Sequence, residues 1–279
     1  MISVGPFSID VVVVGVAAIL ACLVAWLVAR RTPDASAKVA AALILDALLV
    51  GLLAGRGAFI LLWWEEYSAA PRSMLAVADG GFHWPTGLLV GIAWVWWKTR
   101  TQTPMRKPVY AGILAGVVLW GAVGSLPLLL QHAAPSLPKL QLTNVDYSES
   151  VALDSYTGQP IVLNLWATWC PPCRREMPVL EQAQSDYPEV AFVLVNQGES
   201  AGEVGDFLTA QGLELEHVLL DPFSRAMHEV GSRGLPTTLF FDAEGRLVDS
   251  HMGELTMPSL RNTLRRHFQL SSTSTKEQE

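Results

Sequence analysis

The eight residues Trp166-Ala167-Thr168-Trp169-Cys170-Pro171-Pro172-Cys173 follow directly on the apolar run Ile161-Val162-Leu163-Asn164-Leu165, and they hold two of the chain's three cysteines. Two thiols with two residues between them, where a strand hands over to a helix, form a dithiol that can close into a disulfide and reopen. A helix starting near Cys170 turns its free N–H groups and the positive end of its dipole toward that sulfur, favouring thiolate over thiol. Cys170 is then the attacking sulfur, and Cys173, one turn further in and more buried, the resolving one. Pro171 and Pro172 suit the first helical turn, where an N–H has no intrahelical partner to lose. The alternatives are a structural zinc site and a pair of cysteines buried as small apolar residues. Zinc needs four ligands, and no second Cys or His pair with ligand spacing occurs, so no metal is expected.

A second feature lies downstream. Gly234-Leu235-Pro236-Thr237-Thr238 precedes the apolar run Leu239-Phe240-Phe241, and a proline at a strand entrance is a suitable place for a cis bond. Together WATWCPPCRREMP and GLPTTLFFDAEG resemble the TlpA/ResA-type thiol-disulfide oxidoreductases of the thioredoxin superfamily, over roughly Leu140 to Phe268. The resemblance implies that Pro236 is cis and lies against the dithiol. It also implies that the backbone of Leu235 pairs with an extended substrate, and that Trp169 and Pro171 complete the substrate-binding surface.

The same resemblance implies a proton handler. Many thioredoxin-like strands carry a buried Asp beneath the dithiol; the matching residue is Asn164, which cannot titrate. Glu176, three residues after Cys173, matches the acidic residue of ResA-like members, and burial that raises its pKa would let it take the proton of the second thiol. The alternative is a first-turn Glu that offsets the helix dipole and pairs with Arg174 or Arg175.

Strand-like runs at 140–145, 161–167, 190–197, 217–221, 237–242 and 246–252 interleave with helical patterns at 172–186, 203–211, 225–230 and 257–268. That order predicts an α/β thioredoxin-like domain over 135–268, a mixed sheet covered by helices with the dithiol beyond the carboxyl end of a strand. Residues 269–279 form a polar tail, expected to be disordered.

Residues 1–134 are a different material. The chain is 51% hydrophobic with a mean hydropathy of +0.32, and the excess lies before Leu130. Val11–Ala29, Val39–Trp64, Phe82–Trp97 and Pro108–Leu130 are expected to cross a bilayer, giving an all-α membrane domain of about four transmembrane helices. The first lacks a basic amino-terminal flank and is followed by Arg30 and Arg31, so it is expected to stay as an anchor rather than be cleaved as a signal.

Basic residues cluster after the first crossing (Arg30, Arg31, Lys38) and after the third (Lys98, Arg100, Arg106, Lys107). The positive-inside rule makes those loops cytoplasmic and delivers the redox domain to the far side. The expected location is therefore the bacterial inner membrane, multi-pass, with the thioredoxin-like domain in the periplasm. The net charge of −7 is carried by the carboxy-terminal half, which has little attraction for nucleic acid. Trp63, Trp64, Tyr67, Trp84 and the Trp94–Trp97 cluster suit either membrane interfaces or helix packing.

Gly55 to Gly91, GRGAFILLWWEEYSAAPRSMLAVADGGFHWPTGLLVG, resembles the early part of prolipoprotein diacylglyceryl transferase. Aligning Gly80-Gly81 and Gly87-Leu88 puts Pro85 at that family's functional His and Thr86 at a Gly, and there is no room for the family's later half. The resemblance thus implies a truncated scaffold that has lost lipid transfer. Asp46 and Arg56 lie inside the second crossing, where ionisable groups are functional candidates; the plainer expectation is that Asp46 pairs or snorkels and that Arg56 snorkels outward or binds a headgroup. Cys22 stands alone in the first crossing, as a small apolar residue.

These features point to a protein-disulfide oxidoreductase that needs no cofactor beyond its own redox-active disulfide. Its expected partners are periplasmic or membrane-bound thiol/disulfide proteins, the lipid bilayer, and a separate membrane electron donor of DsbD/CcdA-like kind or a separate oxidant. Reductase, dithiol oxidase and lipid-modifying transferase with a redox appendage remain as functions, the first favoured by the resemblance.

Overall fold

The computed structural model describes residues 3–4, 7–75, 79–124, 136–145 and 150–268. The expected polar tail, the start of the 133–138 linker and the end of the fourth apolar stretch lie outside the described residues. The chain divides into two compact units, residues 2–68 with 81–132, and residues 69–80 with 133–279.

The helical unit opens on two paired two-residue strands, β1 (Ser3–Val4) and β2 (Phe7–Ser8). Helices α1 (Ile9–Arg30), α2 (Ala37–Leu62), α3 (Trp64–Ala69), α4 (Trp84–Thr99) and α5 (Thr103–Gly124) follow. Two stretches, Val13–Arg30 and Ala37–Leu62, are long and apolar enough to cross a membrane. Four crossings are expected from the sequence, and helices occupy the described parts of all four stretches, but among the described residues only these two meet the requirement. The 16 residues of α4 reach about 24 Å at 1.5 Å per residue, short of a hydrocarbon core of about 30 Å. Large side chains such as Leu53, Leu61 and Leu89 are exposed, whereas Ala21, Ala25, Ala29 and Ala40 are buried. Small residues inside let backbones close up: a Cβ on Gly51 would stand 2.8 Å from the carbonyl oxygen of Gly87.

Arg56 does not snorkel outward. It is buried, donates from Nη1 to the Gly81 carbonyl at 2.8 Å, and lies over the rings of Tyr67 and Phe82 at 5.4 and 5.7 Å. A backbone acceptor and two aromatic faces give the guanidinium a site inside the helical unit, so it has no need to reach for water. Asp46 is exposed on α2, and His83 caps α4, its Nδ1 accepting from the Thr86 amide at 3.4 Å.

The second unit is built on a seven-stranded mixed sheet in the order β4-β3-β7-β6-β5-β8-β9. Its strands are β3 (Gln141–Asn144), β4 (Ser150–Ala152), β5 (Ile161–Trp166), β6 (Ala191–Gln197), β7 (His217–Asp221), β8 (Thr237–Phe241) and β9 (Leu247–Met252). β5, β6 and β7 are parallel; β8 runs antiparallel to β5 and β9 antiparallel to β8. Helices α6 (Pro171–Asp186), α7 (Ala201–Gln211), α8 (Arg225–Glu229) and α9 (Met257–Phe268) complete it. β5 and β6 are buried along their whole length, as parallel strands covered on both faces must be.

Strand alternation sorts the core into two layers. Val162 and Trp166 join Met177 and Leu180 of α6 and Leu260 and Leu264 of α9. Ile161, Leu163 and Leu165 join Leu153, Ala226, Leu239 and Phe241 on the other face. Asn164, two residues from each of Val162 and Trp166, therefore falls on the face that α6 covers. The apolar stripe of α6 recurs at Cys173, Met177, Leu180 and Ala183, with Glu176 in the same buried set. α7 begins with a reciprocal Ser200/Glu203 capping box and ends on Gly212 at φ 64°.

Candidate active site

β5 ends at Trp166, a two-residue turn follows, and Cys170 becomes the N-cap of α6 with extended φ/ψ of −88° and 109°. The two cysteines form a disulfide with Cα atoms 5.3 Å apart. Pro171 and Pro172 carry no N–H, so the first amide the helix can offer is that of Cys173, and it points at Cys170 Sγ at 3.4 Å. The next, on Arg174, is taken by the Cys170 carbonyl at 3.1 Å. Cys170 is 3% exposed and Cys173 fully buried, so one sulfur borders the surface and the other lies within the core. The structure thus places both cysteines at the start of α6 just beyond the carboxyl end of β5, and no cluster of His, Cys, Asp and Glu able to hold a metal occurs among the described residues.

The Leu235–Pro236 bond is cis. Because Thr237 pairs with Leu165 across the antiparallel β8–β5 ladder, Leu235 and Pro236 come to the same edge of the sheet as the dithiol. Pro236 is buried and Leu235 half-buried. Trp169 is 67% exposed and Pro171 is exposed, so the turn presents an aromatic ring and a proline ring beside the disulfide.

Glu176 is fully buried; of its neighbours, Arg175 pairs with Glu254 at 2.7 Å and Arg174 lies over the Phe207 ring at 5.4 Å. Asn164 Nδ2 donates to Glu176 Oε1 at 2.8 Å, and the Leu255 amide donates to Oε2 at 2.8 Å. Asn164 Nδ2 also donates to Thr238 Oγ1 at 3.0 Å, a residue directly opposite it in the ladder. Burial, partly offset by the Leu255 and Asn164 donors and reinforced by the Glu254 carboxylate, raises the Glu176 pKa from 4.5 to about 8. A buried carboxyl one turn from Cys173 is thus poised to change protonation near neutral pH. The Asn164 site, already known from sequence to be unable to titrate, is the group that holds the carboxyl.

Three participants have no signature in the sequence motifs. The Leu255 amide reaches the site from the turn before α9, 79 residues from Glu176. Glu199, just after β6, accepts hydrogen bonds from the amide and hydroxyl of Thr168, and Asn196 joins it. The only local signal is a polar Asn196-Gln197 pair ending an otherwise apolar strand.

Residues 133–250 match the AhpC/TSA family model. The chain is 36% identical over 110 residues to the thiol-disulfide oxidoreductase ResA of Halalkalibacterium halodurans, covering 39% of this chain and 62% of that one, less than two thirds of its length. It is 33% identical over 120 residues to the thioredoxin-like protein YneN of Bacillus subtilis, covering 42% of this chain and 69% of that one. The chain belongs to the thioredoxin-like proteins. Among solved structures, a thioredoxin family thiol:disulfide interchange protein from Chlorobium tepidum is similar, with 25% identity, a TM-score of 0.43, and coverage of 48% of this chain and 96% of that one. The similarity to ResA lies in the carboxy-terminal unit, where the Cys170–Cys173 disulfide and cis-Pro236 come together at the carboxyl end of β5.

Proposed function

We propose that this chain is a membrane-anchored, extracytoplasmic disulfide reductase acting on proteins through Cys170 and Cys173. The observation that carries the proposal is the pairing of a dithiol at the start of α6 with a buried carboxyl, Glu176, whose pKa of about 8 lies in the range where thiols exchange protons.

In the reduced chain the Cys170 thiolate attacks one sulfur of a partner disulfide, a mixed disulfide forms, and the partner's other sulfur leaves as a thiolate that takes a proton. Cys173 then gives its proton to the ionised form of Glu176 and attacks Cys170 Sγ, releasing the second partner sulfur. Two electrons pass to the partner and the Cys170–Cys173 disulfide closes. Leu235, ahead of cis-Pro236, offers backbone for pairing with an extended substrate segment, and Trp169 and Pro171 supply an apolar flank.

The outward apolar surface of α1 and α2 supports anchoring, and the basic residues around Arg30–Lys38 and Lys98–Lys107 support an orientation that puts the dithiol in the periplasm. The four apolar stretches are read as an inner-membrane scaffold with a transferase-like ancestry and no lipid chemistry of its own. With Cys22 as the sole thiol there, electrons must come from a separate membrane donor of DsbD/CcdA-like kind. The second reading, a dithiol oxidase, rests on the same pair run in reverse and would need a separate oxidant. The equilibrium potential of the pair against glutathione decides between them: a value near about −270 mV, as in thioredoxin, supports reduction, and one near about −120 mV supports oxidation.

A further inference from the structure

The backbone from Ala167 to Cys170 is a turn, closed by the Cys170 amide on the Ala167 carbonyl at 3.3 Å. Its two central residues are Thr168 and Trp169, so its shape decides where the Trp169 ring stands and where the backbone enters α6. The turn's own hydrogen bond does not use the Thr168 amide. That amide donates to Glu199 Oε2 at 2.7 Å, and the Thr168 hydroxyl donates to Oε1 of the same carboxylate. Asn196 Nδ2, on the buried end of β6, donates to Oε2 at 2.6 Å. Asn196 pairs in register with Trp166, the last residue of β5, so one carboxylate ties the exit of β5 to the exit of β6.

The support behind Glu199 is also fixed. Gly198 adopts φ 82°, a left-handed conformation that turns the chain back over the strand ends, and its amide donates to the Asp221 carbonyl at the end of β7 at 3.0 Å. Asp221 Oδ2 in turn accepts from the Ala226 amide at 2.7 Å. Three consecutive strand exits are therefore linked, with Glu199 as the member that grips the turn bearing the dithiol. Charge-assisted bonds of this kind are the strong ones, and three donors on a half-buried carboxylate far exceed what capping α7 requires, since Ser200 and Glu203 already do that.

We propose that Glu199 is a positioning residue for thiol–disulfide exchange: by holding Thr168 through both its amide and its hydroxyl, it sets the turn that places Cys170 Sγ at the first free amide of α6 and Trp169 at the substrate face. Loss of the grip lets the turn drift, and misplacement of reacting groups by about 1 Å can cost up to about 10²-fold in rate. The proposal rests on Cys170 being the attacking sulfur.

The test uses the full-length reduced protein. Alkylation of Cys170 by iodoacetamide is followed against pH, and the rate of reduction of insulin is measured, for wild type, Glu199→Ala, Glu199→Gln, Thr168→Ala and the Glu199→Ala/Thr168→Ala pair. The expected result for Glu199→Ala is an upward shift of the Cys170 alkylation midpoint and about tenfold slower insulin reduction. Glu199→Gln, which keeps an acceptor, should fall between it and wild type, and the double variant should be no worse than Glu199→Ala alone. An unchanged profile with only lower thermal stability would overturn the proposal, because the carboxylate would then merely staple the fold. A downward shift would overturn it too, since Glu199 would be acting as a bare negative charge on the sulfur. Should Glu199→Ala fail to fold, Thr168→Ala must show the upward shift by itself, and its absence there counts against the proposal. A wild-type midpoint at the ordinary thiol value of about 8.5 would instead sink the assignment of Cys170, so the two failures are separable.

Discussion

At the scale of single residues, Glu176 couples function to stability. Its carboxyl holds a proton more tightly when folded than at the usual 4.5, up to about 8. The contribution of this group to stability is therefore fully present below pH 4.5 and is lost as the pH rises through about 8, where the buried carboxyl must ionise. Glu176→Gln is always neutral, so denaturant unfolding of the oxidised variant should lack this contribution and keep only the pH dependence of other groups, such as buried His251, whose lowered pKa acts in the opposite direction. Relative to that variant, wild type should lose roughly 3–5 kcal/mol between pH 4.5 and about 8. The same substitution should slow resolution of the mixed disulfide by on the order of 10²-fold, measured in single-turnover quench experiments. The cysteines and the acid were legible in the sequence because spacing along one helix places them. The partners of Glu176 were less so: Asn164 stood out only as a position unable to titrate, and the Leu255 amide meets it purely through tertiary packing.

At the scale of elements, the start of α6 is unusual in having two prolines where amides would otherwise surround the Cys170 sulfur. Among the described residues, the Cys173 amide is the one that reaches Sγ, at 3.4 Å. Pro172→Ala restores one N–H at the second helical position, from which an N-cap side chain commonly accepts a bond. The variant should have a lower Cys170 thiolate pKa and a more oxidising pair, by about 30 mV for each tenfold gain in the stability of the reduced form. Glutathione equilibration checks this, and an unchanged potential would mean that the added amide does not reach the sulfur. Strand and helix order in this unit was readable where β5 and β6 form short apolar runs between helical patterns, but β4 (Ser150–Ala152), a three-residue edge strand with no fully buried residue, carries no such run and was missed. The face that Asn164 takes was not readable from alternation, because β5 is buried on both sides and only the packing of α6 against Val162 and Trp166 reveals it. The turn at 167–170 was not readable in this way, since its anchor, Glu199, arrives from a separate loop whose course depends on Gly198 at φ 82°.

At the scale of the whole chain, the apolar first half was evident from composition. The number of crossings was not, because α4 is only 16 residues long and hydropathy alone does not decide whether so short a helix spans. Arg56 teaches the same lesson: sequence marks a charge in an apolar stretch, but only packing reveals the Gly81 carbonyl and the Tyr67 and Phe82 rings that hold it. If the redox unit lies outside the cytoplasm, a membrane-impermeant maleimide added to intact, pre-reduced cells should label the cysteines of the 170–173 pair without lysis. Labelling that appears only after lysis would contradict the orientation.

Trapping tests the central claim most directly. Full-length Cys173→Ser, reduced and mixed with an excess of an oxidised protein substrate, should accumulate a one-to-one mixed disulfide that mass spectrometry locates on Cys170 and that dithiothreitol releases. No adduct, or one carried by Cys22 instead, would contradict the assignment of Cys170 as the attacking sulfur.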